Sequence, residues 1–201
     1  MTDCITAMTG KFSAALVDGQ VKSLRFLEAV DVEIQWLSGM GTAFVFVVND
    51  IQGNVDKLRR HIAAIEEFKD KKSDVTFAEL VKYEADHNRS EVANSATDAL
   101  LWLSRALEFL NLFLDRMGKQ PTLEPRQAIE SAYEVTLAQY HNFFVRQAVW
   151  ACFLTLPHRQ QFEADLFAQQ AALPADEKAA KYRACCDALS SNLGIIKPLV
   201  E

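Results

Sequence analysis

The chain has 201 residues, half of them hydrophobic, which is enough for a substantial core and too apolar for a disordered segment. Its formal charge of −6, with basic residues scattered in short clusters, argues against a nucleic-acid binder and against strong electrostatic capture by anionic membranes. No charged start, apolar run and cleavage site opens the chain, and no apolar run reaches membrane-spanning length, so the expectation is one cytosolic domain, residues 1–201.

Apolar periodicity predicts helices over Asp3–Val17, Lys22–Gly41, Thr42–Lys69, Thr76–Asn88, Asn94–Gly118, Pro125–Leu156, Arg159–Ala172 and Ala175–Asn192. Breaks fall at Gly118–Pro121, at Pro157 and at Pro174, where Asp176 and Glu177 follow as a helix start. Seven glycines and five prolines leave room for few hairpins. Four cysteines, Cys4, Cys152, Cys185 and Cys186, show no metal spacing, and the adjacent pair is a poor disulfide candidate. Free thiols in a reducing compartment are the plain reading.

Two of these helices are unusually apolar. Leu100, Leu101, Leu103, Leu107, Phe109, Leu110, Leu112, Phe113 and Leu114 cover nearly the whole circumference of the helix around Trp102, which should therefore be central. The helix assigned to His141 continues through Phe143, Phe144, Val145, Ala148, Val149, Trp150, Phe153 and Leu154. Either the core is large or it opens to hold a greasy ligand, and composition by itself favours the large core.

The helix over Thr42–Lys69 carries a polar row. Asp50, Asn54 and Lys57 lie at i, i+4 and i+7, opposite Val47, Val48, Ile51, Val55 and Leu58. An acid, an amide and an ammonium in one row accept, do both, and donate, which suits a polyol or amide head group better than a single ion. Taken singly, the row could be a solvated face, Trp102 a core residue and His141 a hydrogen-bonded buried imidazole.

Together, three blocks resemble the glycolipid transfer protein family. They are Asp50-Ile51-Gln52-Gly53-Asn54-Val55-Asp56-Lys57, then Ala99-Leu100-Leu101-Trp102-Leu103-Ser104-Arg105-Ala106-Leu107, then Ala132-Tyr133-Glu134 with Tyr140-His141 and Pro157. Phe26-Leu27-Glu28-Ala29-Val30 fits the family's early helix, and the resemblance runs from about Phe26 to Phe167. It implies an all-α, two-layer sandwich of about eight helices that holds one sphingolipid, contacts membranes transiently, is monomeric by default and needs no cofactor. By the same resemblance Asp50 binds the ceramide amide and sugar hydroxyls, and Asn54 and Lys57 bind the first sugar. Trp102 stacks under that sugar, and His141 donates to the amide carbonyl.

Phe109, Phe113, Ala148, Val149 and Phe153 are candidate walls of an apolar tunnel, although each singly reads as core. Asn142-Phe143 stands where the family often has Gly-Trp, which leaves Trp36, Phe143 and Phe144 as candidate membrane contacts.

One branch of the family carries ceramide-1-phosphate and presents two arginines four residues apart; here those positions are Asp98 and Trp102. A carboxylate there repels a phosphate, so a neutral sugar is favoured. Asp98 has several readings: a bond to a sugar hydroxyl, a pair with Lys57 or Arg105, a contact to a cationic group such as phosphoethanolamine, or an acid with no ligand. Arg105, at i+3 from Trp102, could add some anion affinity. The leading expectation is a glycosphingolipid carrier, and the alternatives are a lipid sensor that transfers little or a carrier of another sphingolipid such as ceramide-1-phosphate or a phosphoethanolamine-headed lipid. An enzyme is disfavoured, since the chain has no Gly-x-Ser-x-Gly elbow, no His-Glu-x-x-His and no Cys/His metal spacing.

Overall fold

The computed structural model describes residues 3–41, 45–71, 74–89, 93–167 and 173–201. The fold is an all-α, two-layer sandwich. In chain order it comprises α1 (Cys4–Ala15), strands β1 (Leu16–Val17) and β2 (Gln20–Val21), α2 (Ser23–Gly39) and α3 (Val45–Ala64). After these come α4 (Phe77–Asp86), α5 (Ala96–Lys119), α6 (Pro125–Val135), α7 (Phe143–Phe153), α8 (Arg159–Leu166) and α9 (Ala175–Val200). The antiparallel strands pair Leu16 with Val21 and Val17 with Gln20. Their turn places Asp18 and Gly19 at φ 50° and 72°, the left-handed pair a two-residue hairpin requires.

The all-apolar helix is the central one: α5 packs on α9, α3, α6 and α4. Its first turn is held firmly. Ser95 Oγ accepts from the Asp98 amide at 3.0 Å. From α4, buried Glu84 accepts from the Ala96 and Thr97 amides at 2.7 and 2.8 Å and from Thr97 Oγ1 at 2.7 Å. These carboxylate bonds satisfy donors that a helix N-terminus leaves orphaned and suit its dipole. The start of α5, which carries Asp98 and Trp102, is thereby a rigid platform.

Several boundaries differ from expectation, beginning with the first helix, which stops at Ala15 so that Leu16 and Val17 pair as a strand. The segment Pro125–Leu156 is two helices: the first ends at Val135, and Asn142 caps a new one by accepting from the Val145 amide at 3.0 Å. His141 therefore lies in extended backbone after a 3₁₀ turn over Ala138–Tyr140, not in a helix. The helix carrying the polar row ends at Ala64, where Ile65 and Phe68 turn inward around a second 3₁₀ turn. The last helix runs past Asn192 and Gly194 to Val200, because buried Leu193 and Ile196 and the 2.7 Å Lys197–Glu108 pair hold its final turns against α5. Packing there outweighs the low helix propensity of glycine and the missing amide of Pro198. The expected starts and ends at Thr42 and Ala172 lie outside the described residues. All four cysteines are free thiols.

Candidate functional site

A cleft of about 420 Å³ runs between α3, α5, α6 and α7. Asp50, Asn54, Lys57, Asp98, Trp102 and His141 all line it and form its polar end. The α3 row comes from helical spacing: Val55 and Leu58 are buried in the core, while Val47 and Ile51, expected opposite the row, line the same cleft as Asp50, Asn54 and Lys57. Asn54 Nδ2 donates to the Asp50 carbonyl at 3.1 Å, which fixes the amide and leaves its oxygen unengaged. Asp50 opens to the solvent in the cleft, yet the walls around its carboxylate desolvate it and raise its pKa, against the pull of His141 and Lys57. Asp98 and Lys57 form no ion pair among the described residues, so both remain available to a ligand.

His141 reaches the cleft because the α6–α7 break brings it back over Tyr133. The Tyr133 hydroxyl and His141 Nδ1 are 2.9 Å apart. Burial lowers the His141 pKa, with Asp50 opposing, so the ring is neutral at pH 7. A neutral ring that accepts from Tyr133 at Nδ1 carries its proton on Nε2 and can donate it into the cleft. Its plane lies 13° from that of Trp102, with ring centroids 6.5 Å apart.

Arg105 does not line the cleft. Its guanidinium lies 3.8 Å from the Tyr140 ring centroid and 5.1 Å from that of Trp102, both rings that line the cleft. This cation–π arrangement links α5 to the segment that bears His141.

Beyond the polar end the walls are apolar. Of the five tunnel candidates, Phe109, Val149 and Phe153 line the cleft. Phe113 does not, being a fully buried core residue one turn farther along α5. Ala148 does not either: α7 turns Val145, Val149 and Phe153 inward at four-residue spacing, which leaves Ala148 on its exposed side. The other walls include Leu37, Val47, Ile51, Leu110 and Ile129.

Trp36 is corrected as a membrane contact. It is 7% exposed and packs edge-on against Phe162 at 5.7 Å, because it shares the buried face of α2 with Glu33, Ile34 and Leu37. Phe143 and Phe144 are 68% and 81% exposed, adjacent at the start of α7.

Sequence reading passed over Tyr133 and Tyr140 as site residues. Both stood within the quoted blocks. The signal that finds them is the helix break at Thr136, which folds His141 back onto Tyr133.

A row of donors and acceptors, with Asp50 and Trp102, stands at one end of the cleft inside a helical sandwich, and Phe109 and Phe153 stand among its apolar walls. The family description "Glycolipid transfer protein (GLTP)" matches residues 21–168, and the chain belongs to that family. Human pleckstrin homology domain-containing family A member 8 is 33% identical over 153 residues, which cover 75% of this chain and 28% of that protein. The chain thus spans less than a third of the curated relatives it matches first. The crystal structure of the fungal glycolipid transfer protein HET-C2 has a TM-score of 0.77 at 28% identity, covering 93% of this chain and 91% of that one. Apo mouse ceramide-1-phosphate transfer protein gives a TM-score of 0.86 at 21% identity over 99% and 95%, a likeness of fold.

Proposed function

We propose that the chain binds one glycosphingolipid, a ceramide with a simple uncharged sugar head, and carries it between membranes. Asp50 accepts from the ceramide amide and from sugar hydroxyls, while Asn54 and Lys57 complete the hydrogen bonds to the first sugar. The Trp102 face packs under the apolar side of that sugar. Neutral His141, set by Tyr133, donates to the amide carbonyl. Phe109, Val149 and Phe153 receive a hydrocarbon chain.

The charge count at the polar end carries the choice of head group. Asp50 and Asp98 supply two carboxylates, Lys57 is the one Lys or Arg among the described cleft-lining residues, and the Arg105 guanidinium is stacked on Tyr140. A dianionic phosphate would meet repulsion at this end, whereas sugar hydroxyls can donate to both carboxylates. The match to a fungal carrier named for glycolipids supports the same choice.

The slot also explains why no energy source is needed. Each buried CH₂ is worth about 0.8 kcal/mol, so an apolar wall that replaces the bilayer interior makes extraction and delivery nearly balanced. Exposed Phe143 and Phe144 provide an apolar point of transient contact with the bilayer. The test is vesicle-to-vesicle transfer of fluorescent glucosylceramide, galactosylceramide and ceramide-1-phosphate. Movement of either sugar lipid in preference to the phosphate lipid is expected. Movement of ceramide-1-phosphate alone contradicts the reading.

A further inference from the structure

The polar row on α3 does not end at Lys57. Asp50, Asn54 and Lys57 are followed at the same helical spacing by His61, so all four lie on one stripe. Lys57 lines the cleft and also a second groove, which it shares with Arg60, His61 and Asn94. His61 therefore stands where the α3 wall of the polar end meets the segment that leads into α5.

Both ring nitrogens of His61 face oxygen across that joint. Nε2 is 3.0 Å from the Asn94 carbonyl, and Nδ1 is 3.6 Å from Glu84 Oε1. Neither oxygen is free to swing away. Asn94 is left-handed at φ 67°, immediately before the Ser95 cap of α5, which sets the direction of its carbonyl. The Glu84 side chain is 3% exposed and is held by the Ala96 and Thr97 amides. A neutral imidazole has one N–H and one lone pair, so either tautomer turns a lone pair toward one of the two acceptors. The imidazolium donates to both. Glu84 is the charged group that faces the ring from α4, Lys57 and Arg60 share its groove from α3 itself, and α5 sets Asp98 on the cleft side.

We propose that His61 is a proton-controlled latch between the two walls of the head-group site. Protonated, it fastens α3, which carries Asn54 and Lys57, to the start of α5, which carries Asp98 and Trp102. Deprotonated, it loses one of its two bonds, and the walls are free to part around the sugar. His61 does not line the cleft, so it is a positioning residue that acts through the spacing of the two walls. The inference rests on the carrier reading and adds a regulation to it. The sugar is held more tightly at lower pH and released more readily at higher pH.

The test is equilibrium partitioning of glucosylceramide, and of ceramide without the sugar, between vesicles and the full chain at pH 8 and pH 6. A histidine changes charge across that interval. The preference for glucosylceramide over ceramide in wild type should be about threefold higher at pH 6, the size expected of a partly exposed charged pair. His61→Gln, which carries no charge, should keep the lower preference at both values. His61→Lys, charged at both, should keep the higher one. Ceramide serves as the reference because both lipids share the amide contacts of Asp50 and His141, and thermal melts check that each variant is folded. A folded variant whose preference changes with pH as that of wild type does overturns the latch while leaving carriage intact. No uptake of either lipid at either pH overturns carriage and the latch together.

Discussion

Asp50 combines a proposed binding role with a stability cost. Its carboxylate is desolvated by the cleft walls, which raises its pKa, so the folded protein holds a proton that the unfolded chain releases. Stability from this group therefore falls as pH rises from the unfolded value toward the raised folded one. Head-group binding has the opposite slope, because only the ionised acid accepts every bond. Lipid affinity should weaken on acidification at a pH above the usual aspartate range near ~4. Asp50→Asn should abolish that dependence, lower glycolipid affinity by about tenfold or more, and leave the empty protein at least as stable. Binding titrations across pH, beside thermal melts, check both halves. Tyr133 acts through His141. Tyr133→Phe removes the partner of Nδ1 and should cost about 1 kcal/mol of binding, roughly fivefold, without moving the melting temperature by much. Equal losses in binding and in stability would mark Tyr133 as core alone.

Among the elements, α3 and α5 were legible and the α6–α7 segment was not. The polar row on α3 and the apolar circumference of α5 are periodic patterns, and periodicity is what a sequence exposes directly. The restart after the break at Thr136 depends on Asn142 as a cap, a small local effect inside an otherwise helical pattern. Missing that break hid the contact of His141 with Tyr133. Glu84, which satisfies two amides of α5 from α4, was equally hidden, since it joins elements through tertiary contact. Trp36 was misassigned because an indole suits both an interface and a core, and only the packing of α2 on Phe162 decides between them.

The same helix carries Glu33, 1% exposed with neither carboxylate oxygen paired, and burial pushes its pKa up from 4.5 to about 8. A raised acid pKa means that stability is lost as pH climbs through that window. Glu33→Leu should therefore stabilise the protein on the order of a few kcal/mol at pH 8 and much less near pH 5. Denaturant unfolding at the two values distinguishes this from a uniform packing gain.

For the whole molecule, the all-α sandwich was readable because helical periodicity runs through most of the chain and the strands among the described residues amount to one short hairpin. No helix among the described residues is long and apolar enough to cross a membrane. Phe143 and Phe144 expose their rings beside the cleft residue Asn142, and we propose them as the point of contact with a bilayer. Replacing both with serine should slow vesicle-to-vesicle transfer at least tenfold while leaving short-chain lipid binding in solution within about twofold. Vesicle co-sedimentation measured in parallel would show whether the loss is one of docking.

The central claim is that charge at the polar end selects a sugar over a phosphate. Its most direct measurement is the ratio of glucosylceramide to ceramide-1-phosphate bound at equilibrium by wild type and by Asp98→Arg/Trp102→Arg. A ratio well above one in wild type, falling below one in the double variant, is the predicted result. Preference for ceramide-1-phosphate in wild type, or a ratio unchanged by the substitutions in a folded variant, would contradict it.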